Sequence, residues 1–134
     1  MLKVKDTLRA TVNLTFDGRV IKAYHGPKAR ARFENEVRIL RHLQQAGCDF
    51  VPKLLDADPV RVRIITTNCG QRVEHLDPER VAELFEELEA YGIRHDDPEI
   101  RNVTYRASDG RFCIIDFEFA TLRSEGGRQT PSSQ

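Results

Sequence analysis

No stretch of this 134-residue chain approaches the ~20 apolar residues of a membrane span. The N-terminus also lacks the apolar run of a secretory leader, so no membrane partner is expected and a reducing cytoplasm is the expected compartment. Cysteine is scarce. Cys48, Cys69 and Cys113 are widely separated, odd in number and without a C-x-x-C pair, which fits reduced, buried or half-buried thiols. An excess of one charge is missing as well: 21 Lys and Arg balance 21 Asp and Glu, so nothing in the net charge argues for a nucleic-acid partner. No internal repeat is visible.

With 40% hydrophobic and 31% charged residues, the chain reads as one globular domain large enough for a real core. Val12, Leu14 and Phe16 alternate with polar residues, and Asp17-Gly18 signals a hairpin whose return strand spans 19–24. Residues 2–5 read as a short preceding strand. Pro27 suits a first helical position, which predicts a helix over 27–46 with Phe33, Val37, Leu40 and Leu43 on its apolar stripe and Gly47 beyond its end. Another strand is expected over 60–66, and a helix over 78–91 capped by Asp77 and ended by Gly92. Strands over 102–106 and 111–115 flank the turn Ser108-Asp109-Gly110. Residues 123–134, almost without apolar side chains, read as a flexible tail.

Glu36 is out of place in this pattern. It falls among Phe33, Leu40 and Leu43 on the apolar stripe, where a carboxylate is costly without a cation. Lys22, on one face of the preceding strand with Val20 and Tyr24, is the natural partner. The alternative is a Glu at the stripe's edge and a Lys on an exposed strand face. Further on, His95-Asp96-Asp97 is followed by four residues and then Asn102, and Asp116 ends an apolar strand. Such a set can place a base beside a nucleophile and two oxygen ligands around magnesium.

These segments together resemble the protein kinase-like superfamily. Val20-Ile21-Lys22 is similar to its V-A-I-K strand, and Glu36 to Leu43 to its Lys-pairing helix. His95 to Asn102 matches H-x-D-x-x-x-x-N, and Asp116-Phe117-Glu118 stands where D-F-G is usual. The D-F-E form is similar to the choline-kinase and lipopolysaccharide-kinase branches. The resemblance covers roughly residues 9–122.

It implies an α+β, minimal kinase-like fold over 1–122: a small antiparallel sheet with one helix (about 1–66), a hinge (about 67–70) and a reduced second lobe (71–122). It implies magnesium-dependent transfer of the ATP γ-phosphate to a protein or small hydroxyl acceptor. Lys22, oriented by Glu36, would contact the α- and β-phosphates, and Asp97 would accept or align the hydroxyl proton. Asn102 and Asp116 would hold magnesium, and the backbone of Thr67, Asn68 and Cys69 would meet adenine. Glu118 is either a further metal ligand or a solvated loop residue. His95 is expected to support the loop, while Arg94 and Arg101 either reach phosphate or stay solvated. No Gly-rich loop precedes Lys22; Gly18 is the only glycine before it and sits in another turn. The chain also has no room after Asp116 for an A-P-E segment or a substrate platform. The competing expectation is therefore a binding module, a pseudokinase. A homodimer or a partner domain would cover apolar surface left by the reduced lobe.

Overall fold

A computed structural model describes residues 2–6 and 9–123. The chain order is β1 (Leu2–Asp6), β2 (Ala10–Leu14), β3 (Arg19–Tyr24), α1 (Ala29–Gln45), β4 (Leu54–Asp58), β5 (Arg63–Thr67) and β6 (Gln71–Arg72). Then follow α2 (Pro78–Glu89), β7 (Ile93–Arg94), a 3-10 turn (Ile100–Asn102), β8 (Val103–Arg106), β9 (Arg111–Ile114) and β10 (Thr121–Leu122). The fold is thus mixed α+β with small antiparallel sheets. Among the described residues no helix is long and apolar enough to cross a membrane. The tail over 123–134 lies outside the described residues except for Arg123.

The largest sheet has the order β1-β2-β3-β5-β4, with every pair antiparallel. Its register aligns Leu14 with Val20 across the Asp17-Gly18 hairpin, where Gly18 takes φ 84°, as that turn requires. β3 is hydrogen-bonded on both edges, to β2 and β5, which makes it a rigid mount for Lys22. The second sheet, β6-β8-β9, contains the hairpin around Ser108-Asp109-Gly110, and β7 pairs with β10.

α1 begins two residues later than Pro27 predicts. Lys28 adopts a left-handed conformation, φ 56°, and serves as the N-cap. The cause is Arg32, whose Nε and Nη2 donate to the Pro27 carbonyl at 3.0 and 2.8 Å, holding Pro27 outside the helix. The strand expected over 60–66 is also displaced. The Asp58 carboxylate accepts from the amides of Val60 and Arg61 at 3.0 and 3.2 Å, closing a turn, so pairing resumes only at Arg63. α2 starts as its sequence dictates, with Asp77 accepting from the Glu79 amide at 2.9 Å and proline in its first turn.

One core runs through both parts of the molecule. Leu40 and Leu43 of α1 share it with Phe50, with Leu84 and Leu88 of α2, and with Ile93, Val103, Ile114 and Phe117. Leu84 and Leu88 are fully buried, and each such side chain contributes roughly 1.5–3 kcal/mol by leaving water. This packing sets β9 against α2 and brings residues 116–120 against α1.

Candidate functional site

A cleft of about 540 Å³ opens between the large sheet and the segment that leaves it. Val12, Leu14, Val20 and Ile64 supply apolar walls. Thr66 to Arg72 line one part, and Lys22, Glu36 and Asp116 line another. Arg19 pairs with Thr67 and Lys22 with Ile64. Lys22 is three residues along β3 from Arg19, so it lies about 10 Å from the Thr67 end of the cleft.

Lys22 is the centre of an acidic cluster. Its Nζ lies 2.8 Å from Glu36 Oε1, 2.7 Å from Glu118 Oε2 and 3.5 Å from Asp116 Oδ1. The expected Lys22–Glu36 pair is present, and Glu36 is 4% exposed. Glu36 is also held by the Tyr24 hydroxyl, which donates to Oε1 at 2.5 Å, and by the Phe117 amide, which donates to Oε2 at 2.9 Å. Burial disfavours the charged form of Lys22, but the attraction of Glu36, and then of Asp116 and Glu118, outweighs it and holds the pKa above its ordinary value. Tyr24 is also raised, by burial first and by the Glu36 charge second.

Asp116 follows β9 with φ 70°, a left-handed conformation that costs a non-glycine residue energy. Its carboxylate thereby reaches Lys22 at the cleft. Glu118 is not the solvated loop residue that was one expectation. It is 4% exposed, and each oxygen meets a cation, Oε1 accepting from Arg32 Nη1 at 2.8 Å and Oε2 facing Lys22. Both oxygens are thus engaged within the protein.

Thr67, Asn68 and Cys69 line the cleft. Some of their groups are already used. The Thr67 amide donates to the Lys53 carbonyl at 3.0 Å, and the Cys69 carbonyl accepts from Thr104 Oγ1 at 2.7 Å. Gly70 follows with φ 93°, and a β-carbon there would stand 1.9 Å from the Tyr105 carbonyl oxygen.

Asp97 and Asn102 form a second cluster that does not line the cleft. The 3-10 turn brings the Asn102 amide nitrogen to the Asp97 carbonyl and to Asp97 Oδ2, both at 2.9 Å. Because Nδ2 is committed to Asp97, Oδ1 is the group Asn102 can offer a cation. The Asn102 carbonyl accepts from the Ile115 amide at 2.9 Å, which sets this cluster beside Asp116. His95 supports it as expected: Nε2 donates to the Ile115 carbonyl at 3.0 Å and Nδ1 accepts from the Asp97 amide at 3.0 Å. Its ring is packed edge-on between Phe85 and Phe117. Arg101 reaches Asp97 itself, with Nε and Nη2 at 2.7 and 2.6 Å from its two carboxylate oxygens. That hydrogen bonding holds the Asp97 carboxyl below the usual carboxylate range.

Sequence reasoning missed Arg32 and Asn35. Both sit on α1 where a solvated residue is the default reading. Asn35 Nδ2 donates to the carbonyls of Glu118 and Ala120 at 2.9 Å each. Among the described residues, no group of three or more His, Cys, Asp or Glu side chains is gathered to hold a metal ion. Compared with models of known protein families and with curated proteins, the chain matches none.

Proposed function

We propose that this chain has a minimal protein kinase-like fold and transfers the γ-phosphoryl group of ATP to a hydroxyl acceptor. The observation that carries this reading is Lys22, fixed by Glu36 and facing Asp116 in a cleft whose other part is the Thr67–Cys69 segment. Such a lysine presents one oriented charge to phosphate oxygens, while the apolar walls suit a planar base. The distance along β3 between the two matches the extent of a nucleoside with its first phosphates.

The acidic surroundings of Lys22 fit a nucleotide that arrives with a divalent cation. Asp116 and Asn102 Oδ1 are hard oxygen donors, and magnesium is ordinarily held by one or two such groups together with phosphates and water. When bound, the ion neutralises phosphate charge. The protein's own contribution is positioning: Lys22 orients the phosphates, Asp97 orients the acceptor hydroxyl, and Asn102 with His95 fixes Asp97. A protein Ser or Thr is the favoured acceptor, the chain itself included. Ser124, Thr130, Ser132 and Ser133 are candidate acceptors that lie outside the described residues.

The second reading, nucleotide or partner binding without catalysis, is favoured by one observation: both Asp97 oxygens are occupied by Arg101. Incubation with γ-labelled ATP and magnesium separates the two. Label transferred by the wild type but not by Asp97→Ala supports the phosphotransferase. ATP binding without transfer by either form supports the binding module.

A further inference from the structure

We infer that Glu118 is a positioning residue for Lys22, anchored from behind by Arg32. The inference rests on the nucleotide reading of the cleft and assigns Glu118 a task other than metal binding. An ammonium has three protons to place. In Lys22 two of them face acceptors at 2.8 and 2.7 Å, on Glu36 and Glu118, and the third faces Asp116 at 3.5 Å. The two close contacts define where the nitrogen sits. The long one marks the direction that a phosphate oxygen can take over without displacing the lysine.

Glu36 alone does not fix that direction, because a single contact leaves the ammonium free to pivot. Glu118 supplies the second point, and it is itself immobilised. Its other oxygen accepts from Arg32, and its carbonyl accepts from Asn35. Arg32 is 4% exposed and is held in turn. Its guanidinium donates to the carbonyls of Arg9, His25 and Pro27 at 3.3, 2.8 and 2.8 Å. A relay of charge-assisted bonds therefore runs from the loop before α1, through Arg32 and Glu118, to Lys22. A carboxylate this deeply buried between two cations that it bridges is costly to place unless both contacts are made.

The test is the affinity of the intact chain for ATP with magnesium, measured by calorimetry alongside a thermal melt of each variant. Glu118→Gln keeps the shape but removes the charge that faces both cations, and the dissociation constant is expected to rise about tenfold. Arg32→Gln is expected to weaken binding similarly, although it touches no part of the cleft, and Arg32→Lys to recover part of that loss. The double variant Arg32→Gln/Glu118→Gln leaves no lone buried charge from this pair and serves where a single variant fails to fold. It is expected to bind no more weakly than either single variant, since both interrupt one relay. Where turnover is measurable, kcat should fall more than KM changes in Glu118→Gln. A folded Glu118→Gln protein with wild-type affinity, or losses that add in the double variant, overturns the relay alone. A wild type that does not bind ATP with magnesium removes the nucleotide reading and the relay with it.

Discussion

Arg101 grips the carboxylate of Asp97 with two nitrogens, at 2.6 and 2.7 Å, while Asn102 adds a third donor at 2.9 Å. The base of the proposed reaction is therefore ionised, oriented and covered at once. An exposed pair of this kind is weak and exchangeable, so an incoming phosphate or acceptor can compete for Arg101.

Asp97→Asn keeps this geometry and removes the charge. Phosphotransfer should fall about 10²–10⁴-fold, the usual range for losing a general base. Asp96→Asn should cost far less, because Asn102 holds the Asp97 carboxylate whereas Asp96 approaches His95 at 3.7 Å. Initial rates of the two variants side by side decide the matter. Equal losses would put the assignment of Asp97 in error.

Arg101→Ala uncovers Asp97. The carboxyl pKa of Asp97, held down chiefly by the Arg101 hydrogen bond, should move up toward its ordinary 3.8. A carbon-detected NMR titration of the Asp97 carboxyl reads this directly. An unchanged titration would mean that the pair does not persist in solution.

Asp116→Ala removes a carboxylate that lines the cleft 3.5 Å from Lys22 Nζ. ATP affinity should then become nearly independent of magnesium, whereas the wild type should bind far more weakly in chelator. A variant that keeps the full magnesium dependence would relocate the metal to other residues.

Much of this arrangement is legible in the sequence, and the reason is local. Glu36 announces itself by breaking an apolar stripe, and Lys22 lies on the adjacent strand in the register that the Asp17-Gly18 turn imposes. The Arg32–Glu118 pair is not legible. Arg32 reads as an ordinary solvated helix residue, and its partner is 86 positions away. The two-residue strands β6, β7 and β10 are hidden for the same reason: each exists only because a distant segment supplies the other half of the pair. The start of α1 fails differently, since the local rule for Pro27 is overridden by a side chain that binds its carbonyl.

Gly70→Ala should be strongly destabilising although the position is on the surface. At φ 93° the new methyl would meet the Tyr105 carbonyl at 1.9 Å, and backbone rather than a movable side chain stands in the way. Left-handed strain alone costs about 1–3 kcal/mol. The clash adds to it, and relief would pull Thr67–Cys69 away from the cleft. A lowered thermal midpoint together with weaker ATP binding is the expected result. A neutral substitution would show that the Thr67–Gly70 segment does not pass this close to β8.

Alkaline pH should destabilise the protein through buried groups that include Cys48, Tyr24 and Lys22. Burial raises the Cys48 thiol from 9.0 to about 11. Between those values the unfolded chain loses a proton that the folded one keeps, so stability falls as pH rises, by a loss on the order of 2 kcal/mol. Tyr24 acts in the same sense above its ordinary 10.0, because burial and the Glu36 charge hold its proton in the folded state. Lys22 follows. Its ion pairs exceed the effect of burial and raise its pKa, so the stability it contributes is complete below 10.5 and is lost as pH climbs toward the folded value. Denaturant titrations from pH 8 to 11 should show the decline beginning near pH 9. Cys48→Ser should make that first decline shallower and leave the later part, to which Tyr24 and Lys22 contribute. A wild-type stability that stays level through this range would mean that the thiol and the Lys22 cluster are open to solvent, contrary to the packing between α1 and residues 116–120.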